Sequence, residues 1–289
     1  MRKIIYLLTL LLISCKDNTD TLFTSMDESS TGINFQNTFF DDGPLNVANY
    51  IYFYNGGGVS IGDINNDGLQ DVLFTGNMVK NRLFLNKGNF KFEDITAKSG
   101  ITFDSSWSTG VTFVDINNDG WLDIYVCSSG HMSTGKRINK LYINNHDLTF
   151  KEEAHAYGLD ISAYSTQVSF FDYDNDGDLD CFMINNSPIP VNQLGYVNRR
   201  DLPEQEWPVG NFLKGGGDHL FKNDNGHYSE VTKKAGIHGS LISFGLGVSV
   251  GDINNDGWLD VYVSNDSYER DYLYINQKNG TFKDELQHC

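Results

Sequence analysis

The chain has 289 residues, enough for one large domain or two small ones, and 39% of them are hydrophobic, which is compatible with a packed core. A formal net charge of −17 argues against nucleic acid as a partner, because phosphate backbones need a basic face. Twenty-nine glycines and fifteen tyrosines point to many turns and strands.

The N-terminus reads as a targeting segment. Arg2 and Lys3 precede an apolar run from Ile4 to Ile13, too short to span a bilayer and suited to a signal h-region. Leu12-Ile13-Ser14-Cys15 resembles a bacterial lipobox, which implies cleavage before Cys15, lipidation of its thiol and a lipid-anchored place at the outer membrane or cell surface. An ordinary signal peptide with a chance cysteine is the alternative. Residues 1–15 are thus a signal peptide, and residues 16–31 a polar tether whose later part doubles as a possible outer strand. The other cysteines, Cys127, Cys181 and Cys289, are odd in number and make no complete disulfide framework. Cys127 and Cys181 sit in apolar runs and are expected as buried free thiols.

From residue 32 to 289 the chain repeats. Asp63-Ile-Asn65-Asn-Asp67-Gly68-Leu69-Gln-Asp71 recurs as Asp115–Asp123, Asp172–Asp180 and Asp252–Asp260. Side-chain oxygens stand at positions 1, 3, 5 and 9: Asp63, Asn65, Asp67 and Asp71; Asp115, Asn117, Asp119 and Asp123; Asp172, Asp174, Asp176 and Asp180; Asp252, Asn254, Asp256 and Asp260. Hard oxygens at alternate positions of a tight loop converge on one point and suit Ca²⁺, and the glycine at position 6 permits the turn. A plain Asn-Asp-Gly turn needs no carboxylate at position 9. An EF-hand needs Glu at position 12, where Phe74, Val126, Met183 and Val263 stand in strand-like runs. The four stretches hold fourteen aspartates, so about four Ca²⁺ ions would offset roughly half of the net charge.

Each copy sits in the same frame. A strand precedes it (58–62, 110–114, 168–171, 247–251), a second follows (72–75, 124–127, 181–184, 261–264), and a third comes next (82–85, 140–143, 219–222, 272–275). Asn-rich turns lead to a fourth (90–93, 149–152, 227–230, 281–284). The loops begin 52, 57 and 80 residues apart, and four short antiparallel strands per unit of about 50 residues predict an all-β β-propeller with four blades. The long spacing marks an insertion at about 186–217, with Pro188, Pro190, Pro203, Pro208, Arg199-Arg200 and Trp207, read as an ordered loop or lid.

The pattern resembles the FG-GAP/VCBS repeat, as in the integrin α-subunit propeller. Tyr52–Gly58 and Leu83–Thr96 are more closely similar to secreted bacterial VCBS-repeat proteins related to the cartilage acidic protein family, many of which carry an ASPIC/UnbV domain. The resemblance implies a calcium ion in every loop, with the position 7 carbonyl as a further ligand: Leu69, Trp121, Asp178 and Trp258. It leaves the Asp178 side chain pointing outward. It also implies seven blades, so the chain is expected to be a fragment, an open arc of a longer ring; a closed four-bladed ring is the competing geometry. Thr21–Ile33 aligns with a fourth strand and its Gly-Ile turn.

Other motifs point away from catalysis. Gly58–Gly62 and Gly247–Gly251 match G-x-S-x-G, but a calcium loop, not a helix, follows Ser60 and Ser249. Gly130–Arg137 lacks the hydroxyl and helix of a phosphate loop, and His131 and His219 belong to no paired motif. Arg199-Arg200 reads as solvated, with an anionic partner as the sharper alternative. Trp121 and Trp258 read as packing between blades, with sugar stacking as the alternative. Function by elimination and resemblance is adhesion or binding of an extracellular glycan or protein. A polysaccharide-active enzyme using Asp201, Glu204 and Glu206, and a structural spacer, are the alternatives.

Overall fold

The structure, a computed structural model, describes residues 22–43, 45–48, 50–101, 106–130, 137–187, 202, 204–266 and 269–286. Four four-stranded antiparallel sheets follow one another in chain order. The first is β1 (Val59–Gly62), β2 (Asp71–Phe74), β3 (Arg82–Asn86) and β4 (Phe92–Asp94). The second is β5 (Trp107–Val114), β6 (Asp123–Ser129), β7 (Lys140–Asn144) and β8 (Phe150–Glu152). The third is β9 (Ser165–Phe171), β10 (Asp180–Asn185), β11 (His219–Asp224) and β12 (His227–Glu230). The fourth is β13 (Gly245–Gly251), β14 (Asp260–Asn265), β15 (Tyr272–Asn276) and β16 (Phe282–Asp284). Each nonapeptide closes the first hairpin of its sheet, because Gly62 pairs with Asp71, Val114 with Asp123, Phe171 with Asp180 and Gly251 with Asp260.

The core lies between the sheets. Strand residues alternate faces, so adjacent residues of β6 serve opposite neighbours. Ile124 packs with Leu73 and Leu83 of the first sheet, while Tyr125 and Cys127 pack with Cys181 and Met183 of the third. Phe182 and Ile184 in turn pack with Val261 and Tyr274 of the fourth. The innermost strands β1, β5, β9 and β13 lie side by side. The result is an open arc of propeller-like blades. Cys127 and Cys181 are free and buried, as expected from their apolar runs.

The inner strands approach almost backbone to backbone. The Gly58 N–H donates to the Thr109 carbonyl at 2.8 Å, and a Cβ on Gly110 would lie 2.4 Å from the Thr166 carbonyl oxygen. The hydroxyl three residues before each of the first two loops joins neighbouring blades: Ser60 Oγ accepts from the Phe113 N–H at 3.0 Å, and Thr112 Oγ1 donates to the Val168 carbonyl at 3.2 Å. The serine of the first G-x-S-x-G is therefore an inter-blade acceptor.

Before β1 the expected outer strand does not form. Residues 22–27 have no strand partner, and Leu22 and Phe23 are exposed. Such a strand needs the third strand of a preceding blade, and none exists among the described residues. The turn that follows does match the repeat. A one-turn helix, α1 (Glu28–Thr31), ends at Gly32 with φ +83°, 2.5 Å from the Phe92 carbonyl oxygen as a Cβ would measure it. Gly100, Gly158 and Gly236 stand likewise against Phe150, Tyr228 and Phe282. Gly158 ends α2 (Ala154–Tyr157).

Of the insertion, residues 188–201, including Arg199-Arg200 and Asp201, lie outside the described residues. Two single 3-10 turns, Glu204–Glu206 and Asn211–Leu213, follow. Trp207 packs on a cluster of Tyr50, Tyr52, Phe53, Trp107, Ile242 and Phe244 at one end of the inner strands.

Candidate metal centres

All four loops share one backbone path. Position 4 is asparagine each time (Asn66, Asn118, Asn175, Asn255) with φ of 57–59°, and the position 6 glycines have φ of 84–97°. Asparagine and glycine are the residues that adopt this left-handed conformation at least cost. Asparagine at position 4 in every copy was a visible signal of this that the sequence reading passed over.

That path turns the side chains inward. The position 1 carboxylate accepts the N–H groups of positions 5 and 6: Asp63 from Asp67 and Gly68 (3.1 and 2.7 Å), Asp115 from Asp119 and Gly120 (2.9 and 2.8 Å). Asp172 and Asp252 repeat this with Asp176 and Gly177 (3.1 and 3.0 Å) and with Asp256 and Gly257 (2.9 Å each). The position 5 carboxylates of Asp67, Asp119, Asp176 and Asp256 accept the N–H of position 7. At position 3, the buried Oδ1 atoms of Asn65 and Asp174 have no hydrogen-bond partner. Those of Asn117 and Asn254 accept the Asp119 and Asp256 N–H groups instead. A buried oxygen without a donor, beside inward-facing carboxylates, fits a hard cation.

Position 9 has a second task that the sequence reading missed. Asp71, Asp123, Asp180 and Asp260 are fully buried. Each accepts the N–H of its own position 2 (Ile64, Ile116, Tyr173 and Ile253, 3.0–3.2 Å) and of an asparagine at or next to the end of the third strand (Asn86, Asn144, Asn223 and Asn276, 2.7–2.9 Å). Such charge-assisted bonds pin the loop to its sheet. Burial pushes the Asp71 carboxyl up, that of Asp123 to about 6 and that of Asp180 to about 7; the N–H donors pull the other way. A cation beside them favours the charged form instead.

The same asparagines latch the blades. Their side chains hold the position 8 carbonyl: Asn86 that of Gln70, Asn144 that of Leu122, Asn223 that of Leu179 and Asn276 that of Leu259. Asn144 also donates to the Ile64 carbonyl of the preceding blade, and Asn276 to that of Tyr173, each at 2.8 Å.

The third loop alone has aspartate at position 3. Carboxylate oxygens of Asp172, Asp174 and Asp176 lie within 4.8 Å of one another, and this cluster could coordinate a divalent cation. Asp178 is half-buried and its Oδ1 is buried, so it does not point freely outward, and burial, then Asp176, raises its pKa. Lys222 bridges Asp174 and Asp176, at 2.7 Å from the latter. Elsewhere His146 reaches Asp119 at 3.1 Å and Lys278 reaches Asp256 at 3.3 Å. Trp121 stacks on His146 of its own blade, ring centres 4.6 Å apart, and Trp258 is half-buried on its loop. Neither tryptophan is a core residue between blades, because position 7 lies on the hairpin tip.

Where the inner strands converge, a cavity of about 410 Å³ is lined by Tyr50, Tyr52, Trp107, Gln167, Asn186 and Leu246 among others, with no charged residue among the described residues that line it. Tyr52 Oη and Asn186 Oδ1 are buried there without a partner. The other expected sites fare differently. Glu206 is exposed on its 3-10 turn, and His219 is buried on a strand and bonded to Glu230 at 2.8 Å. Arg137 lies over the Tyr164 ring. Cys15, His131 and Cys289 lie outside the described residues. Among the described residues no helix is long and apolar enough to cross a membrane.

The FG-GAP-like repeat model matches residues 63–126, 128–183, 211–263 and 252–288. Cartilage acidic protein 1 of Xenopus tropicalis is 27% identical over 215 residues, which is 73% of this chain and 29% of that protein. The human protein is 29% identical over 151 residues, 51% of this chain and 22% of its own length. The chain thus spans less than a third of these relatives. A solved Agrocybe aegerita lectin structure, described as recognising non-reducing terminal N-acetylglucosamine, aligns with TM-score 0.38 and 17% identity over 78% of this chain and 50% of that one.

Proposed function

The chain belongs to the FG-GAP-like repeat family, and from that premise we propose that it is a calcium-loaded binding module, exported and anchored through Cys15, that takes an uncharged extracellular ligand. Calcium is bound by positions 1, 3, 5 and 9 and the position 7 carbonyl of all four loops. Bound there, the ion supplies positive charge to clustered carboxylates and fixes each first hairpin. It takes no part in any reaction, and kinship with repeat proteins fits a role without catalysis.

The observation that carries the ligand reading is the cavity at the inner-strand ends. In a chain of net charge −17, the described residues that line it offer aromatic, amide, hydroxyl and aliphatic side chains and no charge. Aromatic faces beside polar groups without partners suit a neutral saccharide, whose ring faces are apolar and whose hydroxyls both donate and accept. Tyr52 and Asn186 supply the hydroxyl and amide. Binding of the calcium-loaded protein to an array of neutral and anionic glycans tests this. Neutral glycans should be retained, and Tyr52→Phe and Asn186→Ala should each weaken them about tenfold, as loss of one hydrogen bond allows. Retention of anionic glycans alone, or binding indifferent to both changes, overturns the assignment.

A further inference from the structure

The four loops are not equivalent. In three of them position 3 is asparagine, and the residue before the latch asparagine is aliphatic: Leu85, Ile143 and Ile275. In the third both differ together, with Asp174 at position 3 and Lys222 in the strand. The structure brings these two departures into contact. The Lys222 ammonium bridges Asp174 and Asp176, and its side chain is only 23% exposed. His146 and Lys278 also approach their loops, but each reaches one carboxylate and comes from the turn after the third strand with a side chain about half exposed. Lys222 comes from within β11 and spans two of the residues assigned to the ion.

We infer that Lys222 is a resident cation of the third loop, holding it closed without metal, so that calcium binds there much more weakly than at the other three. This rests on the calcium reading of the loops. An ammonium donates to carboxylates as a hard cation accepts from them, and both cannot occupy the same oxygens. Calcium must displace Lys222 or bind beside a like charge, and at such distances either lowers affinity by roughly tenfold or more. The loop holds five aspartates, at 172, 174, 176, 178 and 180, and Lys222 bridges only two of them, so the loop stays acidic enough to take the ion at high concentration.

Calorimetric titration of the calcium-stripped full chain decides it, with thermal melts run in parallel. The wild type should bind three ions tightly and the fourth at least about tenfold more weakly. Lys222→Ile should bind four in one class, as should Asp174→Asn combined with Lys222→Ile, which gives the third loop the residues of the others at both positions. Lys222→Met covers the case in which the isoleucine variant folds poorly. Four equal ions in the wild type, or a stoichiometry unmoved by these changes, overturns the inference and leaves the calcium reading standing. Binding of no ions overturns both.

Discussion

Truncating the latch of the second blade separates cohesion within a blade from cohesion between blades. In Asn144→Ala three backbone groups lose their partner: the carbonyls of Ile64 and Leu122 and the His146 N–H. Asn144 is 4% exposed, so water replaces few of these bonds. At about 1 kcal/mol for each bond, the loss is about 3 kcal/mol. Asn86→Ala removes the same two bonds within its own blade, to Gln70 and Gly88, but no inter-blade bond. Its cost is about 2 kcal/mol, and the difference of about 1 kcal/mol measures the contact with Ile64. Asn276→Ala, which frees the Tyr173 carbonyl, should behave like Asn144→Ala. Urea unfolding at fixed calcium, with equal m-values across the set, reads these differences. If Asn144→Ala and Asn276→Ala cost no more than Asn86→Ala, the latch does not join the blades.

Chelation should lower the melting temperature, and calcium should restore it, because ions that bind only the folded loops add to stability; an unchanged melt in excess EGTA removes the metal from the account. Gly236→Ala, at φ +77° and with a Cβ 2.8 Å from the Phe282 carbonyl oxygen, should cost about 2 kcal/mol or more in the same urea assay. Burial pushes the Asp218 carboxyl from 3.8 to about 7, Ser243 pulling the other way. The folded form therefore holds its proton better than the unfolded chain, so this group's contribution is full below pH 4 and is lost as pH rises through 7. The loss is at most on the order of 4 kcal/mol, and Asp218→Asn should flatten the fall of stability between about pH 4 and pH 7. Burial also raises the Cys127 and Cys181 thiols, so a thiol reagent should label neither in the native protein and both in urea.

Sheet order and strand positions were legible because they are local. Alternating apolar residues and a repeated turn place each strand within a few residues of where it forms, as β12 (His227–Glu230) does without error. The inward carboxylates were legible for the same reason. What the repeats did not disclose lies across sequence distance. Ile64 is 80 residues from the asparagine that holds its carbonyl, and Lys222 is 46 from Asp176. The position 9 aspartate read as a metal ligand alone because its two N–H donors are backbone groups, which carry no mark in sequence. Residues 22–27 carry the fourth-strand pattern yet form no strand, since a pattern states what a segment can pair as and not whether a partner is there. The cavity gathers Tyr52, Trp107, Gln167 and Leu246 from separate blades or the segments before them, and no spacing announces it.

Position 2 of the nonapeptide ties the metal loops to the stacking of blades. Its N–H bonds the position 9 carboxylate of its own loop. Its side chain faces the next blade: Ile64, Ile116 and Tyr173 are each at most 4% exposed and belong to the clusters between successive sheets. In two copies its carbonyl accepts the latch of the following blade. Ile253, at the same position in the last blade, keeps its N–H bond yet is 50% exposed, since no further blade covers it among the described residues. The loop therefore sets this residue's backbone independently of the neighbour, whose cover adds about 1.5–3 kcal/mol per side chain of that size. A loop whose carboxylates repel would let go of the position 2 N–H and loosen the adjoining interface with it. Stability drawn from a cation in the loop would thus reach the contact between blades through this residue, and would not stop at the hairpin.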